Sequence, residues 1–298
     1  MTVVTNPTGR QATAVPTRVL VFGLAHADGT VEAAEVFPVG EACGLSPDQL
    51  RSCLRRLVAE GLFIREGSGR TASYRATDEG LRALGATIER TRLAYAQDHA
   101  GRGWDRRWHL VAFAVPESQR AARDGLRDRL LALGGAPVHN GLYVSPHRWE
   151  RDVADEAARL GIAGAVTSAS SDEFAVGGVA DPRELARRLW PIDDLSDRYT
   201  KFVDAYAYVP RYLEELRARR ERMADAVFLP GALNVTVEFQ QVFEDDPLLP
   251  PELLPRPWPG RAARDILVRS RRMAIRLRES HDRPALFRSF DEAIENIP

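Results

Sequence analysis

Leu50, Leu54, Leu57 and Val58 recur at helical spacing between Ser46 and Gly61. Asp48, Gln49, Arg51, Ser52 and Arg55 fall largely on the other side, so the pattern predicts a short amphipathic helix. Ser46 stands where an N-cap belongs, Pro47 suits the first helical position, and Gln49 completes a capping box. Gly61 is expected to end the helix as a left-handed cap. Two short runs follow, 62–66 and 71–75, around the turn Gly67-Ser68-Gly69-Arg70. They predict a two-stranded hairpin with an arginine at its tip. Upstream, a helix over about 31–42 closes on Cys43-Gly44-Leu45, the short glycine-containing turn of a helix-turn-helix. A first helix over 17–27 carries Val19, Leu20, Phe22 and Leu24 and stops at Asp28-Gly29. A helix able to lie in a major groove, beside a basic hairpin able to grip the backbone, is the design of a winged helix-turn-helix.

The pattern changes after the hairpin. Thr77 caps a helix that runs towards Asp98 and carries Leu81, Leu84, Ile88 and Leu93, either to pair with a second subunit or to act as a strut. His99-Ala100-Gly101-Arg102-Gly103 reads as a linker. Residues 108–115 read as a buried strand stopped by Pro116, and 117–133 as a helix with Leu126, Leu130 and Leu133 inward. A strand over 138–144, a helix over 149–160, and strands over 163–168 and 173–176 complete the set. The order β-α-β-(β)-α-β fits a ferredoxin-like unit. From Asp181 the pattern is helical, over 181–189, 194–208, 211–222, 233–243 and 261–278. The proline-stiffened stretch 246–260 is too apolar for a free linker. The expected architecture is multidomain α+β. It comprises a disordered tail (1–16), an N-terminal winged helix-turn-helix (17–98), a central ferredoxin-like α+β domain (104–180) and a C-terminal α-helical domain (181–298).

Composition bears on the class. Of 298 residues, 44% are apolar, enough for two or three cores. The apolar runs 19–25 and 110–115 are too short to span a bilayer, which takes about 18–20 residues. The first fifteen residues lack the apolar centre of a signal peptide, and cytoplasm is the default expectation. Cys43 and Cys53 are the only cysteines, and in that compartment they read as a reduced, buried pair. No Cys/His cluster has metal spacing, so neither a metal nor a cofactor is expected. Within 46–75, six arginines (Arg51, Arg55, Arg56, Arg65, Arg70, Arg75) face three carboxylates (Asp48, Glu60, Glu66), on a chain whose net charge is −1. A phosphate-binding patch is a local property, so near-neutrality overall does not exclude DNA.

Gln49, Arg51, Ser52 and Arg55 are the candidates for base edges and phosphates, since Arg suits bidentate readout of guanine and Gln of adenine. The capping box competes for the side chains of Ser46 and Gln49. Arg56 has the chain's own acidic residues as a competing partner, and Asp48 favours the helix N-terminus over phosphate. Arg65 and Arg70 are the wing candidates, with Arg70 at the tip the better placed. Trp104, Trp108, Tyr143 and Trp149 suit a core better than the aromatic wall of a pocket. Arg106 and Arg107 could meet the phosphates of a coenzyme A, against the plainer reading of a solvated basic edge. His109 and His147 are isolated and are assigned neither a metal nor a base role.

Three blocks together resemble the PaaX family of bacterial repressors, named for phenylacetic acid catabolism. The first is the winged helix above. The second is Trp104-Asp105-Arg106-Arg107-Trp108-His109-Leu110-Val111-Ala112-Phe113-Ala114-Val115-Pro116-Glu117, with Gly141-Leu142-Tyr143-Val144-Ser145-Pro146. The third runs Asp246-Pro247-Leu248-Leu249-Pro250, Leu253-Leu254-Pro255, Trp258-Pro259-Gly260. The resemblance covers nearly the whole chain after residue 16. It implies a homodimer on palindromic double-stranded operator DNA, with an aryl-CoA or related acyl-CoA thioester as inducer. An effector site would then draw on Arg106, Arg107 and Trp108. The chain departs from the family pattern at Arg106, where glycine is usual, at Ala114, where a small polar or acidic residue is frequent, and over 237–241, which lacks the expected His and Arg.

Two other readings stand beside this one. A dimeric DNA-binding regulator with no small ligand fits the same residues. A metal-dependent nuclease would share the central fold but needs an acid at the end of its first strand, where this chain has Ala112-Phe113-Ala114-Val115-Pro116 and only then Glu117. No nucleophile elbow, phosphate loop or dinucleotide motif is present, and no catalytic residue is assigned.

Overall fold

The computed structural model describes residues 15–101, 103–221, 223–276 and 285–296. Their elements in chain order begin with α1 (Thr17–Gly23), β1 (Thr30–Glu32), α2 (Ala33–Ala42), α3 (Pro47–Ala59), β2 (Phe63–Glu66), β3 (Ser73–Ala76) and α4 (Asp78–Ala100). Next come β4 (Trp108–Phe113), α5 (Arg120–Ala132), β5 (Ala136–His139), β6 (Leu142–Ser145), α6 (Glu150–Arg159) and β7 (Val166–Ser171). The remainder is helical: α7 (Pro182–Leu189), α8 (Ile192–Tyr206), α9 (Val209–Ala218), α10 (Asp225–Phe243), α11 (Pro259–Arg276) and α12 (Asp291–Glu295). The chain is thus a mixed α+β protein with two antiparallel sheets. The described residues form two compact units. One takes them from Met1–Tyr95, Thr200–Val242 and Ala262–Pro298, the other from Ala96–Tyr199 and Phe243–Arg261.

The first unit holds a three-stranded sheet in the order β1-β3-β2. β1 is a correction: the helix expected from residue 31 starts at Ala33, and Thr30, Val31 and Glu32 pair instead with Arg75, Tyr74 and Ser73. Three residues are too few for alternation to register against a following helical run. The first helix ends at Gly23, short of the expected residue 27. Most of the tail expected over 1–16 lies outside the described residues, while Val15 is buried against the core of this unit. α3 turns Leu50, Cys53, Leu54 and Leu57 inward, each at most 2% exposed. Gly40 of α2 lies so close that a Cβ there would stand 2.5 Å from Leu50 Cδ1, so α2 packs on α3 with no room for a side chain between them. Leu229 and Leu233 of α10 and Leu286 complete the same core.

α4 is anchored at its start. Thr77 Oγ1 donates to the Gly61 carbonyl (2.6 Å) and accepts from Gly80 N–H (3.1 Å). A Cβ on Gly80 would fall 2.1 Å from the Leu62 carbonyl oxygen. Alanine at a helical position gains up to about 1 kcal/mol over glycine, but backbone cannot swing away as a side chain can. Gly80→Ala is therefore expected to lower stability by about 1–3 kcal/mol in urea unfolding; an unchanged midpoint would contradict the packing.

The second unit holds a four-stranded antiparallel sheet in the order β5-β6-β4-β7, with the chain running β-α-β-β-α-β. The single strand expected over 138–144 is a hairpin, β5 and β6, turning at Asn140-Gly141, where Gly141 has φ +78°. The strand expected over 163–168 starts only at Val166, and 173–176 contributes only an isolated Val176–Val179 bridge. β4 is central and alternates between two cores. Trp108 and Leu110 join Val144, Leu185 and Trp190 on one side, and Val111 and Phe113 join Leu126, Leu130 and Val153 on the other. The proline-rich stretch is ordered as expected: Asp246 accepts from Tyr199 Oη–H (2.7 Å) and Leu248 N–H (2.8 Å), and Leu249, Leu253 and Leu254 are buried. The helix expected from 233 begins at Asp225, with Pro230 inside it masking the pattern.

Candidate nucleic-acid interface

α3 begins with the capping box the sequence suggested. Gln49 N–H donates to Ser46 Oγ (3.3 Å), and Ser46 N–H donates to Gln49 Oε1 (2.8 Å). The Gln49 carbonyl oxygen is therefore engaged with its own helix. Asp48, Gln49, Arg51, Arg55 and Arg56 are exposed and Ser52 is half-buried. Arg51 Nη1 donates to Asp48 Oδ1 (2.7 Å), and its guanidinium lies 5.8 Å from the centre of the Phe37 ring. Arg55 makes no hydrogen bond or ion pair among the described residues and is the least committed cation on this face.

The hairpin expected as a wing is the antiparallel pair β2 and β3, with Arg65 opposite Tyr74 and Ile64 opposite Arg75. Arg65 is exposed, whereas Arg75 is neutralised by Glu66 at 2.5 Å. Residues Gly69–Thr71 form a single 3-10 turn at the tip. Arg70 belongs to that turn, but its side chain lies outside what is described. Two contacts were not legible. Arg18 of α1 pairs with Glu60 at the end of α3 (2.6 Å), and Arg288 reaches Glu35 of α2 (2.7 Å). Nothing local in the sequence signals pairs 42 and 253 residues apart.

The three residues considered for an effector are dispersed in role. Trp108 is 1% exposed and packs against Trp104 (5.2 Å between ring centres), Phe174 (5.9 Å) and Trp190 (6.2 Å). Arg107 holds the edge strand β7, donating from Nη2 to the Ser170 carbonyl and hydroxyl, both at 3.2 Å. Arg106 is exposed with φ +63°. A side chain in the left-handed region costs about 1–2 kcal/mol, which accounts for glycine suiting this turn. Arg106→Gly is expected to raise stability by about 0.5–1 kcal/mol, after glycine's own entropic penalty. Arg106→Val is expected to lower it, and thermal unfolding of both variants reads the sign.

His109 is not isolated, which corrects the sequence reading. The buried ring places Nδ1 2.5 Å from Glu150 Oε1 and Nε2 3.3 Å from Asp105 Oδ2, and Arg148 Nε donates to the same Asp105 oxygen (3.0 Å). Burial pushes Asp105 up, but Arg148, the Arg107 N–H and His109 outweigh it and hold its pKa below the ordinary value. Burial also raises Glu150, and the His109 hydrogen bond with backbone N–H groups brings it below the ordinary value too. Depressed carboxylates stabilise the folded state fully above their ordinary range and lose that contribution as pH falls through the lowered values. The urea midpoint is expected to drop between about pH 5 and pH 3, and less steeply in His109→Gln.

Cys43 and Cys53 are free thiols. Burial pushes Cys43 up to about 11 and raises Cys53 as well, which fits unreactive packing groups. Among the described residues no group of three His, Cys, Asp or Glu could hold a metal ion, and no helix is long and apolar enough to cross a membrane.

The chain is thus a mixed α+β protein in which a capped, arginine-bearing helix is followed by a short hairpin. Comparison with known families sharpens this: residues 101–186 match the PaaX protein central Cas2-like domain, and residues 190–282 match the PaaX-like protein C-terminal domain. The chain belongs to the PaaX family. It is 25% identical over 247 residues to the transcriptional repressor PaaX of Escherichia coli, covering 82% of this chain and 74% of that protein. Among solved structures it resembles the uncharacterized protein Rv0674 from Mycobacterium tuberculosis, with 22% identity and a TM-score of 0.52 over 87% of this chain and 94% of that one. The latter is a likeness of fold alone.

Proposed function

We propose that this chain is a DNA-binding transcriptional repressor of PaaX type. In this reading residues 17–98 are a winged helix-turn-helix, 104–180 a ferredoxin-like domain and 181–298 a helical domain. It acts in the cytoplasm as a homodimer on a palindromic operator in double-stranded DNA. The observation that carries the reading is the outward polar face of α3, with Arg51 and Arg55 exposed while Leu50, Leu54 and Leu57 fill the core beneath. Had that face packed inward, the helix could not enter a groove. The strand order β5-β6-β4-β7 supports the ferredoxin-like assignment, and the relative's name supports repression. β4 ends at Phe113 with no acid where a metal-dependent nuclease would need one, which favours a regulator over an enzyme.

The dimer is released from DNA by an aryl-CoA or related acyl-CoA thioester. A second reading, a dimeric regulator with no small ligand, is favoured by the engagement of Arg107 with Ser170 and of Trp108 with the core. A gel shift on a fragment of the protein's own promoter, against random duplex at two salt concentrations, tests the DNA reading. Specific, salt-weakened binding is expected, because each neutralised phosphate releases counterion. Equal affinity for random DNA defeats it. Thermal shifts with a panel of acyl-CoA thioesters separate the two readings, since a binder raises the midpoint by mass action.

A further inference from the structure

The segment from Ala285 to Asn296 belongs to the same compact unit as the helix-turn-helix. Its contacts there are dense. Leu286 is 3% exposed within the core beneath α3. Phe287 N–H donates to the Gly23 carbonyl at the end of α1. The Phe287 ring covers Gly23 so closely that a Cβ there would stand 2.9 Å from Phe287 Cε1. Phe287 itself has φ +59°, a conformation a bulky residue adopts only when its surroundings enforce it. Arg288 Nη2 donates to Glu35 Oε1 of α2 (2.7 Å), and Nη1 lies 3.1 Å from His26 Nε2. His26 Nε2 in turn lies 3.0 Å from Glu35 Oε2. On its other side the segment meets α11: Arg271 Nη2 donates to Asp291 Oδ1 (2.7 Å), and Arg272 Nε donates to the Ile294 carbonyl (3.3 Å).

We propose that the segment Ala285–Asn296 is a strap that positions α1 and α2, and through them α3, for DNA reading, with Phe287 and Arg288 as its positioning residues. This rests on the DNA-reading proposal above. The route is short. Arg288 holds Glu35 in the first turn of α2, and Gly40 at the other end of α2 touches Leu50 of α3 without room for a methyl group between them. A displacement of α2 therefore reaches α3 without being absorbed. Arg288 donates through a planar guanidinium to two acceptors, Glu35 Oε1 and the Ala285 carbonyl (from Nε, 3.1 Å), while lying against the His26 ring. The segment lies some 230 residues beyond α3 in sequence, so contacts at the far end of the chain set the geometry of the reading helix.

Two full-length variants test this, Arg288→Ala and Gly23→Ala. The second has a particular use. Alanine is the better helix former in α1 and leaves the local backbone free, while its methyl group displaces the Phe287 ring. Hydrogen exchange by mass spectrometry reads whether the strap has been released, and fluorescence anisotropy with the promoter duplex reads affinity, at a temperature where circular dichroism shows both variants folded. The expected result is faster exchange over 285–296 and α2, with at least a tenfold loss of affinity in both variants. The Gly23→Ala loss should appear at a temperature where the variant stays fully folded, so that a lower melting temperature alone does not account for it. Released exchange with affinity within twofold of wild type overturns the proposal, as does unchanged exchange in both variants. If the wild-type chain shows no preference for its promoter, the DNA reading itself has failed. Exchange then still reports separately on whether the strap holds α2.

Discussion

Replacing Arg55 with glutamate is expected to weaken binding to the promoter duplex by at least about 100-fold while leaving the unfolding midpoint where it is. One well-aligned arginine contact to a base edge discriminates by about 1–3 kcal/mol, or roughly 5- to 150-fold, and reversal adds repulsion from phosphate. Arg55 is the side chain for which this should hold most fully. It is exposed and free of ion pairs among the described residues, so DNA would be its first partner and nothing internal is lost when it goes. Arg51→Ala should have a smaller effect, because Asp48 already holds that guanidinium at 2.7 Å and DNA must compete for it. The salt dependence is the finer readout. Losing one phosphate contact lowers the slope of log affinity against log salt by about one. Wild-type affinity in Arg55→Glu would remove α3 from the role of reading helix.

Trp108→Ala carries the largest expected effect on stability, a loss of about 3–5 kcal/mol. The ring sits on the central strand of its sheet, 1% exposed, with three aromatic neighbours and no route to collapse around the cavity. That is a large share of the about 5–15 kcal/mol by which a typical domain is stable. The experiment also decides between two uses of the residue. A core tryptophan yields a protein that unfolds early in urea. A ligand wall would yield one that unfolds normally and no longer shifts with an acyl-CoA thioester.

What was legible in the sequence is what local chemistry determines. α3 announced its start, its buried stripe and its stop within sixteen residues, and the structure places each of them there, including both hydrogen bonds of the cap. β1 was lost because its only reason to be a strand is a pairing with β3 more than forty residues away. The β5–β6 hairpin had its signal in plain view, Asn140-Gly141, but the apolar residues on either side read as one run. His109 looked solitary because Glu150 is 41 residues distant, and only the register of sheet against α6 brings them together. Periodicity also could not assign α10 to the core beneath α3, since Leu229 and Leu233 look like any helical apolar pair.

Those two leucines, with Leu286, bear on how such regulators could be recombined. Each is at most 5% exposed, and each carries about 1.5–3 kcal/mol of burial into the floor under α3. A chimera spliced after residue 98 would inherit the polar face of α3 but leave that floor open to water, inviting clumping in place of regulation. Transplanting this head onto another body means carrying along the distant helix and terminal stretch that close it from below.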